Sequence, residues 1–348
     1  MREVIIDLNA LKENLKYIKT KAEVPVLAIV KADAYGHGLI PCATAASEAG
    51  ADYLGTALLE EAIAIREAGI KTPLLAWLNP PGLDFAKAVA LNIEIGVSSL
   101  AVFDEVNQIP GAKIHLKVET GMGRNGFSNE WPELLTRDLS KVVGVMMHFA
   151  RADEPEEAQN KLQIANFDKL VAQLHEKGVK PIRHISNTAA TLSNQSAKYD
   201  MVRVGIAMYG LSPLGRDVNL KPIMKVRAKL VVVKELPAGH PIGYGATATT
   251  KAATKIGIVG MGYADGIPRN AGSSAGVTFN GQSAPLIGRV SMDQIAVDLG
   301  QDADAKSGDW VTVLGENYDA YEWAKACGTI HYEITTRMAP RINRRYES

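Results

Sequence analysis

Between about residue 22 and residue 215 of this 348-residue chain, short apolar runs alternate with amphipathic helical windows, and eight such runs follow one another. "VPVLAIV" precedes the Ala-rich window after Pro41, "DYLGTA" precedes "LLEEAIAIREAG", "TPLLAWL" precedes "DFAKAVALN", and "IEIGVSS" precedes "LAVFDEVNQI". "KIHLKVET" then leads to "WPELLTRDLS", "VVGVMMHFA" to the window 155–177, "IRHIS" to "TAATLSN", and "MVRVGIAMYG" closes the series. Such a βα series predicts a (β/α)8 TIM-type barrel. The runs are near-continuously apolar, as strands covered on both faces must be. A doubly wound open sheet would alternate in the same way, so it stands as the rival fold on pattern alone.

After residue 220 the texture changes to β-branched runs separated by Gly-rich turns: "KVRAKLVVVKEL", "KIGIVGMGYADG", "GVTFNGQSAPLIG", "SMDQIAVDL" and "DWVTVLG". No long helical window separates them, which predicts a second, mainly antiparallel β domain joined near "SPLGRDVNLKP". The expected division is a barrel domain over 1–218 and a β domain over 219–348. Residues 1–10 contain the strand-like "EVIIDLN", which lies outside the barrel count and is free to pair with either domain.

Lys plus Arg and Asp plus Glu both number 38, which removes the electrostatic case for nucleic acid or an anionic membrane and favours a small-molecule ligand. No stretch reaches the length of a membrane span, and "MREVIIDLNA" lacks the apolar core of a secretory signal, so a cytoplasmic protein is expected. Cys42 and Cys327 are far apart without metal-ligand spacing and read as packing residues.

In a barrel, residues at the C-terminal ends of strands face the active site, and this converts position into expectation. Lys31 ends the first run and Arg124 follows the fifth; His148 lies near the end of the sixth; Asn187 and Thr188 follow the seventh; Gly205 and Ile206 lie in the eighth. A lysine there is a solvated rim charge, a general base or an amine poised for a Schiff base. Apolar walls lower its pKa and favour the nucleophile. In "TGMGRNG", Gly121, Gly123 and Gly126 match the dinucleotide fingerprint, but the motif follows a fifth strand and its helix begins too late to cap a pyrophosphate. The glycines are better read as shaping a tight loop that presents Arg124 to a carboxylate. His148, His184 and Arg203 fall on the same rim and suggest a polar network; with no HExxH, no metal is expected. "SNTA" and "VGIAMYG" offer a hydroxyl and backbone N–H groups where barrels commonly hold phosphate.

"AIVKADAYGHG", "KVETGMGRNG", "MMHFARADE", "HISNTAA", "MVRVGIAMYG", "GYADG" and "GRVSMDQ" occur in the order and character found in alanine racemases. The chain resembles that family over nearly its whole length. The resemblance implies a pyridoxal 5'-phosphate enzyme that interconverts L- and D-alanine for peptidoglycan. It also implies a homodimer with shared sites. Lys31 would anchor the cofactor and act on one face of Cα, and Tyr263 would serve the other face from the partner subunit, because proton removal and delivery on opposite faces are out of reach of one base. Arg203 would face the pyridine nitrogen, and Tyr35, Asn187, Thr188, Gly205 and Ile206 would contact the cofactor. Arg124 and the backbone of Met292 would hold the substrate carboxylate. His148 and His184 would link Tyr263 to Arg203. Lys117 occupies the position that family members often carbamylate, and Pro340 stands where certain members place a phosphate-binding tyrosine.

Overall fold

The structure, a computed structural model, describes residues 1–217 and 219–348. Two compact units emerge: one of Asn9–Ala34 and Leu39–Pro222, the other of Met1–Leu8, Tyr35–Gly38 and Ile223–Ser348.

In the first unit the apolar runs become a parallel sheet of eight strands among the described residues. With β1 (Arg2–Asp7) belonging to the other unit, these are β2 (Val26–Ile29), β3 (Tyr53–Thr56), β4 (Leu74–Ala76), β5 (Ile93–Val97), β6 (Ile114–Lys117), β7 (Val142–Met146), β8 (Ile182–His184) and β9 (Val202–Val204). Their spatial order is β8-β7-β6-β5-β4-β3-β2-β9. The remaining seam is bridged where Arg203 N–H donates to Ser186 O at 2.9 Å and Asp200 N–H to Arg183 O at 3.1 Å. This consecutive order, returning to the first strand, is the barrel and not the doubly wound sheet, whose order reverses at its centre. Every residue of β2, β5 and β6 is buried, which is why those runs lack polar alternation. Helices pack by one face: in Leu8–Ala22 the buried Leu11, Leu15, Ile18 and Ala22 recur at helical spacing. Caps set some of the starts, as where the Asp84 side chain accepts Lys87 N–H before Phe85–Ala90.

The observed strands are shorter than the apolar runs. β7 stops at Met146, so His148 lies beyond it, and β9 stops at Val204. Gly205 and Ile206, expected within the eighth strand, instead leave it: Gly205 adopts φ −114°, ψ −90°, and Ile206 opens the 3-10 turn Ile206–Tyr209. Apolar composition persists past the strand because this turn is fully buried, so hydrophobicity alone cannot mark its end.

The second unit is mainly antiparallel. Its long strand β10 (Met224–Leu236) pairs antiparallel with β1 and β17 (Trp310–Leu314) and, beyond a bulge at Leu230/Val232, with β13 (Thr254–Val259). β11 (Pro241–Ile242) and β12 (Ala248–Thr249) form a separate ribbon, β14 (Gly276–Phe279) pairs with β15 (Gln282–Pro285), and β16 (Ile295–Asp298) pairs with β13. β18 (Asn343–Glu347) runs parallel to β1. Two helices, Ala320–Cys327 and His331–Thr336, were not anticipated. The first is capped by Asp319 and closed by Gly328 in the left-handed region, and its Trp323 is buried with Nε1 donating to Val313 O at 2.7 Å.

Candidate active site

Lys31 follows β2 by one intervening residue, Val30, and the backbone then does something rare. Ala32, Asp33, Ala34 and Tyr35 carry φ of +54°, +53°, +52° and +56°, and Gly36 continues at +85°. The turn is left-handed, at a cost of roughly 1–2 kcal/mol for each non-glycine residue, so it persists only where its surroundings impose it. One such constraint is visible: the Glu61 carboxylate accepts Ala32 N–H at 2.6 Å and Leu58 N–H at 3.1 Å, tying the start of the turn to a helix start. The glycines that follow serve close approach: a Cβ on Gly36 would fall 2.2 Å from Thr335 O, and one on Gly38 would fall 2.0 Å from the Tyr346 hydroxyl. Burial lowers the Lys31 pKa, aided by the Arg124 and Arg203 charges and opposed by Glu61. Its amine lies 5.9 Å from the Trp77 ring centroid.

Arg203 is buried in a cradle of carbonyls. It donates to His184 O, to Met147 O at 2.7 Å and to Ile185 O at 3.3 Å, and lies 3.3 Å from His148 Nδ1. Among the described residues it has no carboxylate partner, and burial draws its pKa down to about 10. His148 is held well below its ordinary pKa by burial, then by Arg203, Arg124, Lys31 and Lys117. Lys117, at the end of β6, is drawn down to about 8 by burial and by Arg124, Arg203 and Lys31; its amine contacts Asn125 Oδ1.

The "TGMGRNG" loop is closed at its neck by Glu119 N–H to Phe127 O at 3.0 Å and Phe127 N–H to Lys117 O at 2.8 Å. The Glu119 carboxylate accepts N–H bonds from Gly121 at 2.5 Å, Met122 at 2.6 Å and Arg124 at 3.3 Å. Donors that a dinucleotide phosphate would need are occupied by the chain's own anion, which disposes of the fingerprint reading. Arg124 is exposed, without a carboxylate partner among the described residues.

At β8 and β9, Asn187 caps the helix Thr188–Ser193 by accepting Ala190 N–H, and the Thr188 hydroxyl accepts Gly205 N–H at 3.0 Å. The barrel unit thus gathers Lys31, Lys117, Arg124, His148, His184, Arg203, Thr188 and Gly205 at or just beyond the C-terminal ends of its strands. Sequence reasoning missed Glu61, Glu119 and the pair Glu94 and His115; a carboxylate on a helix start or a lone histidine in a strand reads as ordinary packing.

In the second unit, "GYADG" and "GRVSMDQ" are pinned together. Tyr263 N–H donates to Ser291 O at 3.0 Å and Ala264 N–H to Met292 O at 2.9 Å, and a Cβ on Gly262 would fall 2.4 Å from both carbonyls. Asp265, fully buried and also missed, accepts Gly262 N–H at 2.9 Å and pairs with Arg2 at 2.9 Å and Arg341 at 2.7 Å. Tyr263 and Met292 therefore project from a rigid corner, 37% and 54% exposed. Tyr35 lies in this unit, buried, with its ring 6.1 Å from that of Tyr332; burial, then Tyr332, pushes its pKa up. Pro340 precedes Arg341, whose guanidinium holds Asp265.

A lysine and two arginines that have no carboxylate partner among the described residues, gathered at the C-terminal rim of a barrel in a chain that also carries an antiparallel β unit, define a barrel enzyme for a small molecule. Two family models match, "Alanine racemase, N-terminal domain" over residues 6–213 and "Alanine racemase, C-terminal domain" over 223–346. The chain belongs to the alanine racemase family. It is 41% identical to an alanine racemase of Salinispora tropica, covering 99% of this chain and 98% of that one, and 40% identical to one of Streptomyces coelicolor, covering 98% and 94%. The crystal structure of alanine racemase from D-cycloserine producing Streptomyces lavendulae superimposes with a TM-score of 0.97 at 41% identity, covering 100% of this chain and 97% of that one.

Proposed function

We propose that the protein racemises alanine with pyridoxal 5'-phosphate, as a homodimer with shared sites. The barrel domain, within 1–218, holds the cofactor and the β domain, within 219–348, supplies the second base. One observation carries this reading: among the described residues Lys31, Lys117, Arg124 and Arg203 lie close enough to act on one another and on His148, with Glu61 and Glu119 as counter-charges to Lys31 and Lys117, an excess of cations suited to a dianionic phosphate and a substrate carboxylate. Among the described residues no His/Cys/Asp/Glu group could hold a metal, and no helix is long and apolar enough to cross a membrane. We assign the protein to the cytoplasm and its product to peptidoglycan synthesis.

The donor set fits the cofactor. Lys31 would anchor it, Arg203 would donate to the pyridine nitrogen, and Tyr35, Thr188, Gly205 and Ile206 would hold the phosphate, with His148 and Asn187 alongside. When bound, the cofactor supplies an aldehyde to receive the substrate amine and an electron sink that acidifies Cα–H. Arg124 and the Met292 backbone orient the substrate carboxylate. Lys31 Nζ, its pKa lowered by burial, has a larger neutral fraction at a given pH than a solvated lysine and takes or returns the proton on one Cα face. Tyr263 Oη of a second copy serves the opposite face. Arg203, a guanidinium fixed by carbonyls, keeps its own proton and leaves the ring nitrogen unprotonated.

Incubated with single enantiomers of alanine, serine and larger amino acids in deuterium oxide, the holoenzyme should exchange Cα–H and yield both enantiomers of alanine fastest. Exchange without racemisation, or none with any amino acid, would rule the reading out.

Lys117 should be carbamylated. Carbon dioxide adds to a neutral amine with loss of a proton, and a pKa drawn down to about 8 gives Lys117 a far larger neutral fraction than a solvated lysine, rising through mildly alkaline pH. The carbamate would turn a cation beside Arg124 into an anion that orients it. Carbon-13 NMR with labelled bicarbonate should show a carbamate resonance absent from Lys117→Ala; identical spectra would remove the assignment.

A further inference from the structure

A chain of buried polar side chains crosses the barrel core behind Arg203, and nothing in the mechanism above uses all of it. Glu94 on β5, His115 on β6 and His184 on β8 are 5%, 0% and 0% exposed. Glu94 Oε2 lies 2.8 Å from His115 Nε2, and His115 Nδ1 lies 2.8 Å from His184 Nε2. The outer Glu94 oxygen meets Lys113 at 3.2 Å, and the His184 carbonyl accepts from Arg203. The chain passes directly from β6 to β8, over β7. It can do so because the β7 residue facing His115 in register is Gly144, where a Cβ would fall 2.0 Å from His115 Nδ1. A buried imidazole costs less for each nitrogen that finds a partner, so a passage kept open for this contact is a built feature.

Hydrogen-bond arithmetic fixes where the protons sit. An ionised carboxylate only accepts, so His115 Nε2 must donate to Glu94. The Nδ1 of a neutral His115 is then an acceptor, so His184 Nε2 must donate to it. His184 Nδ1 is left as a bare lone pair, and it is buried without a partner among the described residues. The alternative, a cationic His115, would force a proton onto that same His184 Nδ1 with no acceptor to receive it. Burial pushes the Glu94 carboxyl up, but the hydrogen bonds from His115 and Lys113 outweigh it and hold Glu94 below its ordinary pKa, so it stays an acceptor, while burial above all holds His184 well below its own. Among the described residues Tyr53 and Arg66 also lie near enough to Glu94 to feel its charge.

We propose that Glu94 and His115 are positioning residues: they lock His184 as a neutral Nε2–H tautomer, so that Arg203 meets the cofactor nitrogen with no second cation behind it. The role in catalysis rests on the racemase reading; the tautomer lock does not. A carboxylate acting through a histidine on the group in front of it commonly contributes 10–100-fold at metal sites, and a similar effect is expected here.

Nitrogen-15 NMR of histidine-labelled holoenzyme tests the lock without reference to turnover. In the native protein His184 should show a protonated Nε2 and a bare Nδ1, unchanged from about pH 6 to 8. A protonated His184 Nδ1, or a ring that titrates near 6.5, overturns the proposal even if no variant folds. In Glu94→Gln, whose amide N–H can donate to His115 Nε2 and so reverse the direction of the chain, Nδ1–H should appear on His184, and in His115→Phe, which removes the acceptor for Nε2–H, both His184 tautomers should be populated. Turnover should fall about 10-fold with KM for alanine and the absorbance of bound cofactor unchanged. An unaltered His184 tautomer in both variants, or unaltered turnover with an altered tautomer, overturns it. A native enzyme that shows the tautomer but fails to racemise any amino acid would instead sink the racemase reading alone.

Discussion

Lys31→Ala is expected to abolish racemisation, with a loss of at least about 10²–10⁴-fold, the usual worth of a positioned acid–base group. The loss should be larger than for any neighbouring cation, because this amine alone would serve as both cofactor anchor and proton carrier. Two structural features support placing both duties here. The amine sits two residues past the end of a fully buried strand, where burial lowers its pKa, and the chain after it is forced into a left-handed turn that no local preference of Ala-Asp-Ala-Tyr would select. Strain of this kind concentrates where a side chain must be aimed. Borohydride reduction of the yellow holoenzyme followed by peptide mapping should tag Lys31. A tag on Lys117, a buried amine at this rim whose pKa is also lowered, would transfer the assignment there. Retained turnover in the variant would end it.

The barrel was legible because its strands are buried on both faces and its helices on one, and those are the patterns that hydrophobicity records. The loop of "TGMGRNG" was legible for a related reason, since its glycines take φ of +131°, +69° and +133°. What stayed hidden falls into two physical kinds. The left-handed turn after Lys31 is imposed by tertiary contacts such as Glu61 on Ala32 N–H, so no local sequence signal announces it. The chain of Glu94, His115 and His184 joins residues 21 and 69 positions apart. Each reads singly as a stray polar group in a strand, and only the register that sets His115 against Gly144 makes them one object. The helices Ala320–Cys327 and His331–Thr336 were missed because eight and six residues are too few for periodicity to stand out among β-rich neighbours. Asp265 was passed over in "GYADG" because its partners, Arg2 and Arg341, lie near opposite ends of the chain.

Tyr263→Phe should cost about 10²–10⁴-fold in racemisation while leaving the cofactor's absorbance and the fold intact, because it removes one hydroxyl from an exposed ring. The corner that carries Tyr263 is rigid: its backbone is bonded to Ser291 and Met292, and the buried Asp265 beneath it is clamped by Arg2 and Arg341. Such reinforcement is unnecessary for a residue that only covers surface, and it matches what a base needs to meet a Cα–H within hydrogen-bonding reach. Exposure of Tyr263 and Met292 side by side suits delivery into the site of a second copy of the chain. That arrangement has a distinctive consequence. Lys31→Ala subunits retain Tyr263, and Tyr263→Phe subunits retain Lys31, so mixing the two inactive proteins under conditions of subunit exchange should produce hybrid dimers with one complete site in two. Activity should rise toward about a quarter of the native level, the value for random re-pairing of equal amounts when half of the dimers are hybrids and each has one working site. No recovery despite demonstrated exchange would show that each chain supplies both bases to its own site, and unimpaired turnover in Tyr263→Phe would show that the second base lies elsewhere.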